Sequence, residues 1–203
     1  MLKRTGRTVV GALAVATAVV GGMAFAGAGT GMAATASLTL AYSCPFPLIG
    51  TQDMTVRITV ADLADSAVVG QPVPGTRVTA IATVPSSATL GLRLVGATTV
   101  EGTAVAKTAV DNAGTVQEVV ANLVVAKTNI PASGSFNTIA TGGTSPVTFT
   151  KAGVTTVRVG AFSTTLTPRK SDGSLTGLGT FTSNCTLKAN QNTLLHTFTV
   201  SAA

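Results

Sequence analysis

The sequence predicts an all-β protein, and three observations support that fold class. Runs rich in Val, Thr, Ile and Phe alternate between apolar and polar residues, which is the period of a strand with one buried face. Clusters of Gly, Pro, Asn and Ser interrupt these runs about every ten residues, as turns between antiparallel strands do. Charged residues make up only 10% of the 203 residues, which disfavours a surface of salt-bridged helices. Together these observations predict one antiparallel Ig-like β-sandwich with one short helix.

The predicted strands follow the alternation along the chain. They are Ser37–Tyr42, Met54–Ala61, Arg77–Val84, Val116–Val125, Val147–Thr150, Thr155–Val159, Phe162–Thr167, Gly179–Thr182 and Thr193–Val200. The stretch between Pro85 and Gly96 has a different pattern. Its Leu90, Leu94 and Val95 share one face at helical spacing, so we expect a short helix with a serine cap, ended by Gly96.

The amino terminus has the pattern of a secretory signal peptide, which we assign to residues 1–36. Three basic residues precede an apolar run rich in Ala, Val and Gly. Small residues then offer cleavage positions at Ala26, Ala33 and Ala36, and we favour Ala36 because strand-like alternation begins at the next residue. The alternative is a retained membrane anchor, since about 20 apolar residues suffice to span a bilayer.

Cleavage at that position predicts a single β-sandwich domain over residues 37–203, because the breaks within it are of turn length. We expect this domain to be secreted, extracellular or loosely associated with the cell wall, with no transmembrane segment after signal cleavage. Three of the 13 Lys and Arg residues lie in the signal peptide. Its removal leaves ten basic and seven acidic residues, so the net charge falls to +3. The basic residues are dispersed, which predicts no nucleic-acid partner and leaves open a weak attraction to cell-wall polymers.

The two cysteines, Cys44 and Cys185, lie near the two ends of the predicted domain. Outside the cytoplasm such a pair most often forms a disulfide. Closing a loop of about 140 residues stabilises the fold by roughly 5 kcal/mol in the chain-entropy model. Two Cys and one His are too few for a closed zinc site, and the acids lack the spacing of a calcium loop. We therefore predict a structural disulfide, no metal and no cofactor.

His196 is the sole histidine and so the only candidate base of a Ser-His-Asp triad. The motif Gly-x-Ser-x-Gly is absent. A triad that lacks this motif needs a serine from a loop and an acid that orients the histidine. Ser145 is the first of three candidate serines, and the candidate acids are Asp172 and Asp111. The other loop serines are Ser135 and Ser174. The competing interpretation is that His196 is a core or rim residue of its strand.

An apolar corner follows the first cysteine and is the most distinctive string in the chain. It contains Phe46, Pro47, Leu48 and Ile49. These residues either plug the end of the sandwich or form an exposed lip for an apolar or lipid ligand. We expect the plug, because exposed apolar patches need a reason.

Three strings resemble a family of secreted actinobacterial proteins: Tyr42–Gly50, Val95–Gly102 and Asn184-Cys185-Thr186. Members of that family carry one β-sandwich domain of uncharacterised function, and some small secreted proteins of similar type are described as cholesterol esterases. The shared strings are structural, so the resemblance assigns no nucleophile.

Two functions are compatible with these residues. We favour a non-catalytic module at the cell envelope or outside the cell that binds a polymer, a protein or an apolar surface. The alternative is a secreted lipid-ester hydrolase that uses His196 as its base and the apolar corner to hold a sterol or acyl chain.

Overall fold

The computed structural model describes residues 33–203, which contain twelve strands and one helix. The strands are β1 (Ala34–Phe46), β2 (Gly50–Leu63), β3 (Ser66–Val68), β4 (Pro72–Val73), β5 (Arg77–Val84), β6 (Thr99–Asn112), β7 (Thr115–Asn129), β8 (Phe136–Thr144), β9 (Val147–Thr148), β10 (Gly153–Arg169), β11 (Phe181–Leu187) and β12 (Leu194–Ser201). The helix α1 (Ser86–Leu94) joins β5 to β6. Most of the predicted signal peptide lies outside the described residues.

Eight of the strands close into a ring. Hydrogen-bonded neighbours run β1–β2–β5–β8–β7–β6–β10–β11, and β11 pairs back with β1. Outside the ring, β12 pairs with the first half of β10, β3 pairs with β12, and β4 and β9 form a separate pair. The all-β antiparallel class and the short helix are confirmed. The sheet closes on itself in a barrel-like manner, however, instead of splitting into the two facing sheets of the predicted Ig-like sandwich.

Two strands of the ring, β6 and β8, are absent from the sequence prediction, and two predicted strands merge into one. The strands predicted at Thr155–Val159 and Phe162–Thr167 are both part of β10. Gly160 and Ala161 resemble a break in the sequence but form a bulge, where the register with β6 shifts by one residue. By contrast, β5 matches its predicted strand residue for residue.

The start of β1 precedes the predicted boundary of the domain. Ala34 and Ala36 already pair with Leu63 and Val60 of β2. Cleavage after Ala36 would therefore remove the first residues of β1, whereas cleavage at Ala33 or Ala26 would leave that strand whole.

The ring closes along a short seam between β1 and β11. Their register pairs Ser43 with Thr186, and the predicted disulfide between Cys44 and Cys185 joins the next positions. The bond links residues 141 apart in the chain. The predicted disulfide is thus confirmed, and its place shows that it fastens the two strands that complete the ring.

A side-chain amide extends this seam beyond the end of β11. The Gln191 Nε2 atom donates to the Ala41 carbonyl at 2.8 Å, and Gln191 Oε1 accepts from the Ala41 backbone N–H at 2.6 Å. Both backbone groups of Ala41 are therefore satisfied where no strand residue faces them. On the other side of the disulfide, the Ser183 hydroxyl donates to the Pro45 carbonyl at 2.7 Å.

Helix α1 covers one end of the ring, with Ala88, Thr89 and Leu92 buried. The predicted face is wrong, because Leu90 and Leu94 point to solvent. The predicted serine cap is also wrong, since Pro85 occupies the cap position and no side chain caps the helix.

No helix within residues 33–203 is long and apolar enough to cross a membrane.

The seam predicts where loss of the disulfide weakens the protein. Replacing both Cys44 and Cys185 with Ser should lower the free energy of unfolding by about 2–5 kcal/mol, as measured by urea denaturation. Amide hydrogen exchange should accelerate in β11 more than in the β6–β7 hairpin, which has a long antiparallel ladder and serves as the internal control. An unchanged unfolding midpoint, or equal acceleration in both regions, would contradict this role of the seam.

Candidate functional site

A narrow apolar cavity of about 170 Å³ lies inside the closed sheet. All eight ring strands contribute to its wall, and Leu92 of α1 contributes at one end. Phe46 and Phe181 line the cavity near that helix, whereas Phe149 and Phe198 line it at the opposite end. Eight-stranded rings are just wide enough to be filled by side chains or to hold one small ligand. This ring keeps part of its interior open.

Small side chains on four adjacent strands, β5, β8, β7 and β6, leave this space. Their inward positions carry six alanines: Ala80, Ala82, Ala104, Ala106, Ala121 and Ala140. Ala80 is paired directly with Ala140, and Ala106 with Ala121, so small residues face each other across neighbouring strands. The inward positions of β2 instead carry larger residues such as Met54 and Ile58.

A buried phenol is one of the few polar groups in the cavity wall. The Tyr42 hydroxyl donates to the Gly160 carbonyl at 3.1 Å, in the bulge of β10. The Tyr42 ring meets the Phe162 ring edge to face, with 4.7 Å between their centroids. Burial raises the pKa of Tyr42 well above its ordinary value, so the phenol stays neutral.

A group of hydroxyls lies at the end of the cavity opposite α1. The hydroxyl oxygens of Thr76 and Thr144 are 3.2 Å apart, and Thr144 Oγ1 also accepts from the Thr76 backbone N–H at 3.0 Å. Ser145 lines the cavity beside them. In the part of the chain that the structure describes, no Asp, Glu, Lys, Arg or His side chain lines this cavity. The cavity is therefore suited to an uncharged, largely apolar molecule.

The recorded polar contact of His196 is with a backbone carbonyl and not with a serine. Its Nε2 atom lies 2.9 Å from the Ala64 carbonyl oxygen, and that contact is a hydrogen bond only if Nε2 carries the proton. The imidazole stacks on the Phe198 ring, with 5.8 Å between the centroids. In this arrangement Nε2 is a donor, so it does not provide the free lone pair that a general base directs at a hydroxyl.

The structure does not bring His196, Ser145 and Asp172 together. His196 pairs with Val157, which precedes Arg169 at the end of β10 by twelve residues. That separation is about 40 Å along a strand. Asp172 lies in the loop after Arg169, where its Oδ1 atom accepts from the Ser174 backbone N–H at 2.9 Å and from the Ser174 hydroxyl at 2.7 Å.

The hydrogen bonds from Ser174 lower the pKa of Asp172 below its ordinary value. The remaining triad candidates are similarly dispersed. Ser135 precedes β8 at the α1 end of the ring, and Asp111 accepts from the Gly114 backbone N–H at 2.9 Å in the β6–β7 turn. Among residues 33–203, no three His, Cys, Asp or Glu side chains cluster as metal ligands would.

The apolar corner has features of both predicted alternatives, the buried plug and the exposed lip. Phe46 lines the cavity, and Ile49 packs against α1 at Gly91, which are the contacts of a plug. Leu48 is 68% exposed at the tip of the turn, which is the position of a lip. Pro47 is half-buried beside the helix.

The inward alanines are candidate site residues that the sequence does not single out. Alternation is visible around Ala80 and Ala82, so a signal exists for part of this set. The sequence pattern is the same, however, whether an inward alanine borders a cavity or packs under a large neighbouring side chain. Only the pairing of four strands shows that small residues face one shared interior.

Comparison with known proteins places these features in one family. Neither a curated protein nor a solved structure matches the chain. A protein-family model matches residues 41–196, from within β1 to within β12, and so includes the seam, most of the cavity wall and α1. The predicted resemblance to an uncharacterised family is confirmed: the chain belongs to the family of unknown function DUF6801.

Proposed function

We propose that this protein binds one slender apolar molecule, a single acyl chain of medium length, inside the closed sheet and catalyses no reaction on it. The observation that supports this function best is the open cavity, which six inward alanines border and no charged side chain lines in the described part of the chain. The predicted signal peptide and the disulfide support a location outside the cytoplasm.

The volume of the cavity favours a small ligand over a sterol. Its 170 Å³ is close to the about 150 Å³ of an engineered apolar cavity that binds benzene. Pockets for drug-sized ligands measure about 300–1,000 Å³. A rigid fused-ring sterol therefore does not fit, whereas a flexible chain does.

The length of the cavity favours a chain over a compact ring. Met54 and Leu63, nine residues apart on β2, both line it. Nine residues extend about 30 Å along a strand, or about 20 Å along the axis when the strand is tilted as in closed sheets. The hydrocarbon core of a bilayer is about 30 Å thick, so one acyl chain spans about 15 Å.

The loss of folding stability that the cavity causes also supports a binding role. A void of 170 Å³ lowers stability by about 4 kcal/mol at about 24 cal/mol per Å³. That amount is a large share of the 5–15 kcal/mol by which domains are stable. Larger side chains at the alanine positions would recover part of it, so folding alone does not account for six alanines facing one interior.

The hydroxyls at one end of the cavity suggest how a chain is oriented. Thr76, Thr144 and Ser145 offer uncharged donors and acceptors there, whereas Phe46, Phe181 and Leu92 close the α1 end with hydrocarbon. If an alcohol, amide or ester head group binds next to these hydroxyls, the apolar tail of the ligand lies along the inward alanines. An ionised carboxylate would be desolvated in this cavity without a cation to pair with it.

Filling the cavity should remove binding without harming the fold. We expect Ala106→Leu or Ala140→Leu to weaken the affinity for decanol at least tenfold, measured by isothermal titration calorimetry. The same changes should leave the free energy of unfolding unchanged or raise it by about 1 kcal/mol, because they fill a void.

The matched control is Ala109→Leu, at an exposed position of β6, the strand that carries Ala106. It should bind decanol like the wild type. Equal affinity in the cavity variants and in this control would contradict a ligand inside the ring.

Ester hydrolysis distinguishes this proposal from the hydrolase alternative. The purified protein should show no turnover of a short-chain nitrophenyl ester or a sterol ester above a boiled control. His196→Ala should change only stability, by about 1 kcal/mol, through loss of its contact with Ala64. Turnover that falls by orders of magnitude in His196→Ala would establish the hydrolase instead.

A further inference from the structure

We infer that the end of the ring covered by α1 docks on an anionic lipid bilayer. Three segments form this α1 end: the helix itself, the β1–β2 turn and the loop of residues 170–180 between β10 and β11. They contact one another, since a Cβ on Gly91 of the helix would lie 2.9 Å from Ile49 of the turn. Leu178 of the loop borders the same small gap as Gly91 and Ile49. The α1 end is thus one continuous surface.

Each of these segments presents leucine to solvent. Leu48 of the turn is 68% exposed, Leu90 and Leu94 of the helix are 59% and 84% exposed, and Leu175 of the loop is 52% exposed. In the stretch from residue 33 to residue 203, every exposed leucine lies at this end. Exposed apolar groups gathered on one surface mark an interaction site, whereas isolated ones do not.

The backbone at Leu48 also favours a role for this exposed side chain. Leu48 has φ +70°, in the left-handed region that glycine and asparagine adopt at lower cost. A turn selected only for stability would carry one of those residues. Strained conformations are retained where a side chain has a function, and this side chain contacts solvent rather than the core.

The charge at the α1 end favours a bilayer with anionic head groups. Arg93, in the last turn of α1, and Lys170, in the loop, make no salt bridge among residues 33–203. Of the nearby acids, Glu101 is paired with Arg169 at 2.6 Å, and Asp172 accepts hydrogen bonds from Ser174. Leucines flanked by cations are the composition of surfaces that insert into the interface of anionic membranes.

The opposite end of the ring has more acidic than basic residues and exposes no leucine in the described part of the chain. It carries three acids, Asp62, Asp65 and Asp111, against Arg77 and Lys151. Its large exposed apolar residues are valines, such as Val116 and Val154. This asymmetry orients the protein with α1 toward the bilayer. It also brings the end of the cavity formed by Phe46 and Leu92 to the membrane surface.

Vesicle flotation tests this docking directly. Wild-type protein should float with vesicles of phosphatidylglycerol and phosphatidylcholine, and less with pure phosphatidylcholine. The double variant Leu48→Gly, Leu94→Ser should lose about a hundredfold in partitioning, at about tenfold for each leucine. Arg93→Glu with Lys170→Glu should remove the preference for anionic vesicles.

Matched controls separate docking from folding. Val116→Ser with Val154→Ser, at the opposite end, should float like the wild type. Leu48→Gly should keep or raise the melting temperature, because glycine adopts a positive φ without strain. The loss of flotation is then not due to unfolding.

Several outcomes would overturn the inference. They are a wild type that does not float, an equal loss in the valine control, binding to cell-wall polymer but not to vesicles, or leucine-dependent self-association without vesicle binding. The docking does not depend on the proposed ligand. Ala140→Leu should float normally although it loses decanol, so failure of flotation and failure of ligand binding can be told apart.

Discussion

Closure of the sheet between β1 and β11 is the constraint on which the rest of the structure depends. Two facing sheets approach until their side chains touch, so small residues in a sandwich simply bring the layers closer. A closed ring has a radius set by strand number and tilt, and it does not collapse in this way. The inward alanines therefore leave a cavity only because the ring is complete. The Cys44–Cys185 bond and the Gln191 amide hold the place where it is completed.

The same alanines explain which strands could be predicted from the sequence. Strand β5 was predicted to the residue, since Val78 and Val84 frame a clear alternation. Strands β6 and β8 were not, because their inward positions include Ala104, Ala106, Thr138 and Ala140. Small or polar inward residues remove the contrast between the two faces on which a period of two depends. The features that create the cavity thus hid two of the strands that enclose it.

Some features of the candidate site can be predicted from the sequence, and others depend on how the strands and the helix pack. The disulfide follows from two cysteines and a predicted location outside the cytoplasm, because the chain offers no other pairing. The predicted triad rests on residue types alone, and the fold separates Asp172 from His196 by most of the length of β10. The apolar corner is a candidate binding segment in the sequence, and the structure places its residues at the α1 end of the ring. Its division into half-buried Phe46 and exposed Leu48 depends on a helix that packs beside it, which local sequence does not show.

The closed ring, its open interior and the leucine-bearing α1 end together support our proposal that the protein holds an apolar chain near a lipid surface. The most direct measurement is nuclear magnetic resonance of the protein carrying labelled alanine methyl groups, during titration with decanol. The methyls of Ala80, Ala104 and Ala140 border the cavity, whereas Ala109 and Ala126 are exposed on the same sheet. A ligand inside the ring shifts the first group in a saturable manner and leaves the second unchanged. Shifts confined to Ala109 and Ala126, or no shift at saturating decanol, would contradict it.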